Sequence, residues 1–348
     1  MPSFDFDSEH RVLVERGVAH SAAAAHRPAG IDRTYLLFDP AVEADAGQIG
    51  TAWEVAASIP VVGGERAKSL TTVEQIGETL RAHHCTRHSM LLVLGGGSLT
   101  DLGGFVASTY LRGIACALIP STMLGLCDAA IGGKNGVDLG GYKNLFGTFT
   151  LPRLTLIDPD ILTTLPNPLI REGAVEVVKK AAILDATPFE WIESVGAPAL
   201  DASHGDAAID PAILEEWITH GVRLKCDVVR EDLRESGRRE LLNFGHTVGH
   251  ALETVTEFGI THAQAVSIGM AIELRLVNSP LVERVEKVLT QLGQPVEPPA
   301  VDIARVFDAM RSDKKVRDDQ VRIAVPTQLG RGEIRAVTES ELRDAWTS

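Results

Sequence analysis

The sequence predicts an α/β N-terminal domain with a parallel sheet over residues 1–164, followed by a mostly α-helical C-terminal domain over residues 165–348. Three observations carry this. The chain has 348 residues, long for a single hydrophobic core. Its first half alternates short apolar runs with helical patterns, the signature of parallel βαβ units. Beyond about Pro152 the patterns become mostly helical, with a boundary near Thr163–Pro166.

The elements follow in order. Arg11 to Val14 reads as a strand. Thr34 to Phe38 (T-Y-L-L-F) is a second, stopped by Asp39-Pro40. Ile59 to Val62 is a third, stopped by Gly63-Gly64. Leu70 to His84 has helical spacing. Met90 to Leu94 is apolar throughout, as a strand covered on both faces must be. Leu99 to Ser108 is the next helix, and Ala115 to Ile119 and Leu154 to Ile157 are further strands. Helical patterns then run over Leu169–Leu184, Pro211–Val229, Leu242–Glu257, Ala265–Leu276, Val282–Leu292 and Ile303–Met310. Val195 to Asp210 is rich in Gly, Ala and Asp and reads as an exposed loop. Gln320–Val325 and Glu333–Val337 are late strands.

Composition narrows the function. Hydrophobic residues make up 45% and charged residues 23%, enough apolar material for a buried core. A net charge of −14 argues against a nucleic-acid partner, whose footprint is basic. The four cysteines, Cys85, Cys116, Cys127 and Cys226, form no C-x-x-C pair. With no apolar leader and no stretch long enough for a membrane span, a reducing cytoplasm is the expected setting.

Several motifs carry chemistry. Gly95-Gly96-Gly97-Ser98-Leu99-Thr100-Asp101 directly follows the Met90–Leu94 strand. Glycines at a strand-to-helix turn let a pyrophosphate approach the helix N-terminus, although this is not the G-x-G-x-x-G fingerprint. Upstream lie Glu65, suited to ribose hydroxyls, and Lys68. Ser121-Thr122, Asp128 to Gly136 and Lys143-Asn144 combine hydroxyls, glycines and lysines, a composition suited to a loop round a phosphorylated or polyhydroxylated ligand. Glu176 and Lys179 share a helical face among valines, as a surface ion pair or as a carboxylate awaiting a metal. His246 and His250 stand four apart on a helical pattern, with His262 beyond. Imidazoles at that spacing can converge on one divalent ion, and spacing alone pairs His246 with His250. A carboxylate plus two imidazoles leaves a fourth coordination position open for catalysis.

The motifs G-G-G-S-L-T-D-L-G-G-F-V-A-S-T-Y-L-R-G, P-S-T-M-L-G-L-C-D-A-A-I-G-G-K, K-N-L-F-G-T-F, G-A-V-E-V-V-K and L-N-F-G-H-T-V-G-H-A-L-E occur in order between about Gly64 and Lys315. The chain resembles the 3-dehydroquinate synthases of the wider sugar-phosphate cyclase family. That resemblance implies an NAD-binding α/β domain, a helical metal-binding domain and a homodimer. It implies Glu176, His246 and His262 as metal ligands, with His250 facing substrate. It implies NAD contacts from Glu65, Lys68, Gly96, Gly97, Asp101, Ser121, Thr122, Asp128, Lys143 and Thr164. Substrate contacts fall on Arg112, Asp128, Asn144, Lys225, Arg239, Asn243 and Lys314. Catalysis falls on Lys134, His250, Glu176 and Lys179. Arg112 would reach the substrate phosphate across the dimer.

The implied reaction converts 3-deoxy-arabino-heptulosonate 7-phosphate to 3-dehydroquinate and phosphate, a step of the shikimate pathway to aromatic amino acids. It combines NAD-mediated oxidation, phosphate elimination, reduction and intramolecular aldol closure. Lys225 and Arg239 suit the substrate carboxylate, which favours this cyclase over 2-epi-5-epi-valiolone and 2-deoxy-scyllo-inosose synthases. An aminodehydroquinate synthase would share the carboxylate site. A metal-dependent NAD polyol dehydrogenase would not need the phosphate and carboxylate clamps. Zinc suits the ligand set, and cobalt or iron would bind the same residues. Where the family reads H-G-E-A-V, this chain has His262-Ala263-Gln264-Ala265-Val266. The missing acid is expected to remove a partner of the metal ligands, with activity surviving through Gln264.

Overall fold

The computed structural model describes residues 3–21, 23–140, 142–312 and 320–347. Lys314, assigned to substrate above, and Lys315 lie outside the described residues. The chain divides into two compact units, Met1–Leu165 and Pro166–Ser348.

The first unit is built on strands β1 (Arg11–Val14), β2 (Thr34–Phe38), β3 (Ala57–Pro60), β4 (Met90–Gly95), β5 (Ala115–Pro120) and β8 (Leu154–Ile157). They form one parallel sheet in the order β1-β8-β5-β4-β2-β3. Strand geometry explains why β2 and β4 read as unbroken apolar runs. Successive side chains point to opposite faces. Tyr35, Leu37, Leu91 and Val93 fill one core, while Leu36, Phe38, Met90, Leu92 and Leu94 fill the other. Helices α1 (Ala23–His26), α2 (Glu43–Ala52), α3 (Leu70–Ala82) and α4 (Gly97–Thr109) connect the strands. From β2 the chain steps outward to β3, then returns to the other side of β2 as β4. The carboxyl ends of β2 and β4 therefore flank a topological switch point, where open α/β sheets bind ligands.

Two readings of this unit need correction. The third strand is Ala57–Pro60 rather than Ile59–Val62; it is an edge strand paired only with β2, so Pro60 removes no needed donor. The stretch read as a ligand-wrapping loop is largely a hairpin, β6 (Lys134–Leu139) against β7 (Tyr142–Phe149).

The second unit contains α5 (Asn167–Leu184), α6 (Ala186–Trp191), α7 (Ala197–Ala199), α8 (Pro211–Glu231), α9 (His246–Val255), α10 (His262–Leu276), α11 (Val282–Gln291), α12 (Ile303–Ser312) and α13 (Glu339–Thr347). An antiparallel pair, β9 (Val321–Gln328) and β10 (Arg331–Val337), lies among them. No helix among the described residues is long and apolar enough to cross a membrane. The segment 195–210 is not a plain loop: short helical turns occupy it, Leu200 is buried, and Arg171 donates to the carbonyls of Leu200, Asp201 and Gly205.

The helix read from Leu242 starts only at His246. A tight turn, Arg238–Asn243, precedes it, and Gly245 breaks the run with φ 77°. The next helix begins three residues before its predicted start, at His262, through a capping box: Thr261 Oγ1 accepts from Gln264 N and Gln264 Oε1 accepts from Thr261 N. Gln264 therefore caps α10, which is the work an acid at this position would also do.

Candidate metal centre and cofactor-binding turn

Helix α5 is buried on all sides from Gly173 to Ile183. Glu176 and Lys179 lie one turn apart on it, 3% and 2% exposed, with Lys179 Nζ 2.5 Å from Glu176 Oε2. This is no surface ion pair, because buried charge demands a partner. Both carboxylate oxygens of Glu176 are inaccessible to solvent, and neither accepts a well-formed hydrogen bond.

The partners come from two other helices. His246 opens α9 and places Nε2 3.5 Å from Glu176 Oε1. His262 opens α10 and places Nε2 3.7 Å from the same oxygen. The ligand atoms of Glu176, His246 and His262 all lie within 4.8 Å of one another. A tetrahedral ion with bonds of about 2.0–2.1 Å holds its ligand atoms roughly 3.3–3.5 Å apart. The donor set, with Glu176 Oε1 turned toward both imidazoles, thus fits a divalent cation. The Nδ1 of His246 lies 3.2 Å from the carbonyl of Phe244. A carbonyl only accepts, so Nδ1 carries a proton there, and in the neutral imidazole this leaves the Nε2 lone pair on the side of Glu176.

His250 also projects from α9, its ring centroid 5.1 Å from that of His246 and 6.0 Å from that of His262. Its donor atoms group with Glu253 and His262, not with Glu176. Below α9, the buried Glu273 accepts from the amides of Gly245 at 2.6 Å and Val248 at 3.2 Å. A carboxylate there satisfies amides at the helix start and opposes the positive end of its dipole.

Burial opposes charge on Glu176, but Lys179 and His262 outweigh it and hold the carboxyl well below its usual range. Burial likewise pushes His262 down, but Glu176 and Glu253 outweigh it and raise the imidazole to about 9. For metal-stripped protein the signs follow by linkage. The raised histidine stabilises the fold fully below about pH 6.5, its unfolded value, and this stabilisation is lost as pH rises through 9. The depressed carboxyl stabilises above about pH 4.5 and loses this below it. Melting of the chelator-treated protein is therefore expected to be highest between roughly pH 4.5 and 6.5 and to fall toward pH 9.5. A His262→Gln variant should lose the alkaline fall in calorimetry, and an unchanged slope would contradict this origin.

The cationic residues of this unit stand on α8 and the turn before α9. Lys225 is buried on α8. Arg239 is 1% exposed, its Nη1 donating to Leu233 O at 2.7 Å. Asp232 anchors this turn, accepting from the amides of Ser236, Gly237 and Arg239. Asn243 Nδ2 donates to Glu235 Oε1 at 2.9 Å. Glu235, Asp232, Glu253 and Glu273 had no assigned role in the sequence. Only Glu253 left a periodic signal, at i+7 from His246.

In the first unit, α4 starts directly after β4, with Gly96 as its N-cap and Gly97 as its first residue. A Cβ on Gly97 would sit 3.0 Å from Ala129 Cβ, so a larger residue here would need Ala129 to give way by a few tenths of an ångström. Leu99 N and Thr100 N both donate to Gly96 O, so among the described residues the amides of Gly97 and Ser98 are the ones left for a phosphate at this helix start. Beside this turn Lys68, buried, donates to Asp101 Oδ2 at 2.9 Å and Asn144 Oδ1 at 2.5 Å, with Glu65 3.8 Å away. Burial lowers Lys68, but Asp101 and Glu65 outweigh it and raise it above the usual lysine value. Asn144, assigned to substrate, thus shares a cluster with residues assigned to NAD.

Ser121 N continues the strand pairing onto Gly95 O, and Thr122 Oγ1 accepts from Gly125 N. Asp128 sits on the π-turn Gly125–Ala129. Lys134 opens β6, Lys143 lies on β7, and both are exposed. Thr164 ends the turn Pro159–Thr164 and is exposed. Arg112 is exposed with φ 68°, following Leu111 at φ 51°, two non-glycine residues in a region that costs energy.

Comparison with known proteins adds to this geometry. Residues 58–172 match the family model described as 3-dehydroquinate synthase N-terminal, and residues 173–316 match 3-dehydroquinate synthase C-terminal. The chain is 40% identical over 291 residues to a 3-dehydroquinate synthase of Pyrococcus furiosus, covering 83% of each chain. It is 39% identical over 282 residues to that of Nostoc punctiforme, covering 79% of this chain and 76% of the relative. Among solved structures, 2-epi-5-epi-valiolone synthase from Streptomyces hygroscopicus subsp. jinggangensis, with NAD+ and Zn2+ bound, is similar with a TM-score of 0.85. It is 28% identical, and the match covers 98% of this chain and 96% of that one.

Proposed function

This chain belongs to the 3-dehydroquinate synthase family, and from that premise we propose that it converts 3-deoxy-arabino-heptulosonate 7-phosphate to 3-dehydroquinate and inorganic phosphate. The observation that carries the catalytic reading is the convergence of Glu176, His246 and His262, with His250 beside them. A divalent ion, zinc or cobalt, would be held by those three residues and would supply Lewis-acid polarisation of the reacting hydroxyl. NAD would be held at the start of α4 and by the Lys68–Asp101 pair, and would supply a hydride acceptor that is regenerated within each turnover. The net change is that of a carbon–oxygen lyase.

The chain's own residues do the rest. Arg239 and Lys225 supply the positive charge that binds the substrate carboxylate, and Asp232 holds the Arg239 turn in place. Asn243 orients a substrate hydroxyl while its amide donates to Glu235. His250 handles the proton of the reacting carbinol next to the metal ligands. Lys179 holds Glu176 ionised. Lys134 acts in catalysis, Lys314 contributes to substrate binding, and Arg112 from a second copy of the chain reaches the substrate phosphate. Large apolar side chains exposed on β7 (Tyr142, Leu145, Phe146 and Phe149) and β6 (Leu139) support a homodimer, since exposed apolar surface marks an interface. The setting that fits its buried free thiols is the cytoplasm.

One assay tests the reading. Metal-loaded protein is incubated with NAD+ and the heptulosonate phosphate while phosphate and NADH are followed. Phosphate release without net NADH is expected. Accumulating NADH would mean a dehydrogenase instead. Turnover of sedoheptulose 7-phosphate or glucose 6-phosphate in preference would move the chain to another cyclase.

A further inference from the structure

We propose that Glu253 is the positioning residue for His262: its buried carboxylate accepts the Nδ1 proton of that imidazole and so commits Nε2 to the ion held with Glu176 and His246. This rests on the metal-centre reading given above.

Glu253 lies on α9 at i+7 from His246 and i+3 from His250, so the three side chains form one stripe along the helix. It is 5% exposed, and its Oε1 lies 3.6 Å from His262 Nδ1, a small ring rotation from hydrogen-bond distance. On the far side of the same ring, Nε2 faces Glu176 Oε1. His262 is thus gripped between two carboxylates, one at each nitrogen.

The two metal-facing histidines need different anchors because they enter their helices differently. His246 follows a left-handed Gly245, and the chain reversal brings the Phe244 carbonyl under its Nδ1. Among the described residues no backbone carbonyl pairs with a ring nitrogen of His262, and the oxygen that faces its Nδ1 is the Glu253 carboxylate. Its anchoring oxygen must come from another element, and α9 supplies it. The need is real, since 35% of the His262 side chain is exposed and χ2 of an imidazole has two broad wells. A flip would turn carbon toward the ion in place of Nε2. A carboxylate bound to the distal nitrogen of a metal-bound histidine fixes the tautomer and raises ligand basicity. The acid missing at position 264 is therefore not the partner of His262; Glu253 is.

Zinc affinity of the full-length parent, Glu253→Gln and Glu253→Ala is measured by competition with a chromophoric chelator, with metal content per chain and the visible spectrum of the cobalt-loaded forms. Glu253→Ala is expected to bind zinc about 10–100-fold more weakly. Glu253→Gln should lose less, because its amide oxygen still accepts from Nδ1–H, and its cobalt bands should shift. All three should bind one ion per chain. Parent-like affinity in Glu253→Ala, or, should that variant fail to fold, unshifted cobalt bands in Glu253→Gln, overturns the inference. So does a parent holding two ions where Glu253→Ala holds one, which would make Glu253 a ligand of a second ion with His250. A parent that binds no divalent ion overturns the metal-centre reading itself, which distinguishes the two failures.

Discussion

His262→Ala protein is expected to retain no stoichiometric zinc or cobalt after dialysis, while His250→Ala retains the ion and still fails to turn over. The two histidines have similar rings at similar distances from His246, so composition does not separate them. What separates them is Glu176. His262 Nε2 lies 3.7 Å from its Oε1 and belongs to the group of donors within 4.8 Å of one another; His250 does not belong to that group. Removing His262 leaves two ligands, too few for a stable site, and loses the several kcal/mol that Lewis-acid stabilisation supplies, about 10³-fold or more in kcat. Removing His250 costs about 10²–10⁴-fold, the range for a lost general acid or base, with metal content unchanged. Elemental analysis beside the phosphate-release assay reads both. Metal lost from His250→Ala and kept by His262→Ala would invert the assignment.

Gly269→Ala is expected to melt well below the parent, although it adds one methyl group to an apolar helix. A Cβ at this position would sit 2.0 Å from Gly245 O and 3.0 Å from Gly249 N. Those atoms are backbone and cannot rotate away, so α9 and α10 would have to separate. Overpacking of this kind costs about 3 kcal/mol, which corresponds to a fall of roughly 6–12 °C in Tm for a unit of this size. The helices that would part carry His246, His250 and His262. Zinc affinity should therefore fall along with Tm. Gly47→Ala on α2 is the control: nothing lies within 4 Å of its Cβ, and better helix propensity should leave Tm equal or slightly higher. A Gly269→Ala variant that melts with the parent would refute the close helix contact.

Much of the first unit was legible because its signals are local. The strand at Met90–Leu94 and the glycine turn after it are consecutive residues, and apolar continuity reads out directly as a strand buried on both faces. The hairpin Lys134–Phe149 was missed because β7 is almost wholly exposed and so lacks the alternation that marks a half-buried strand. Helix α9 was read four residues too long at its start because Leu242 and Phe244 keep an apolar spacing, whereas the left-handed Gly245 ends it. The family resemblance implied Glu176, His246 and His262 as the metal ligands, whereas spacing alone would have paired His246 with His250.

By itself the sequence determined which groups could share a helix face: Glu176 with Lys179, and His246 with His250. A helix repeats every 3.6 residues, and that period needs no partner. Only the tertiary structure decided which faces meet. Packing within the second unit buries Glu176 against Lys179 and brings two imidazole nitrogens to one of its oxygens. The same packing turns His262 between Glu176 and Glu253. Close approach of α9 and α10 depends on glycines whose missing side chains matter only once the helices touch. Periodicity is a property of one segment, whereas burial and the convergence of charge belong to several at once, and a metal centre needs both.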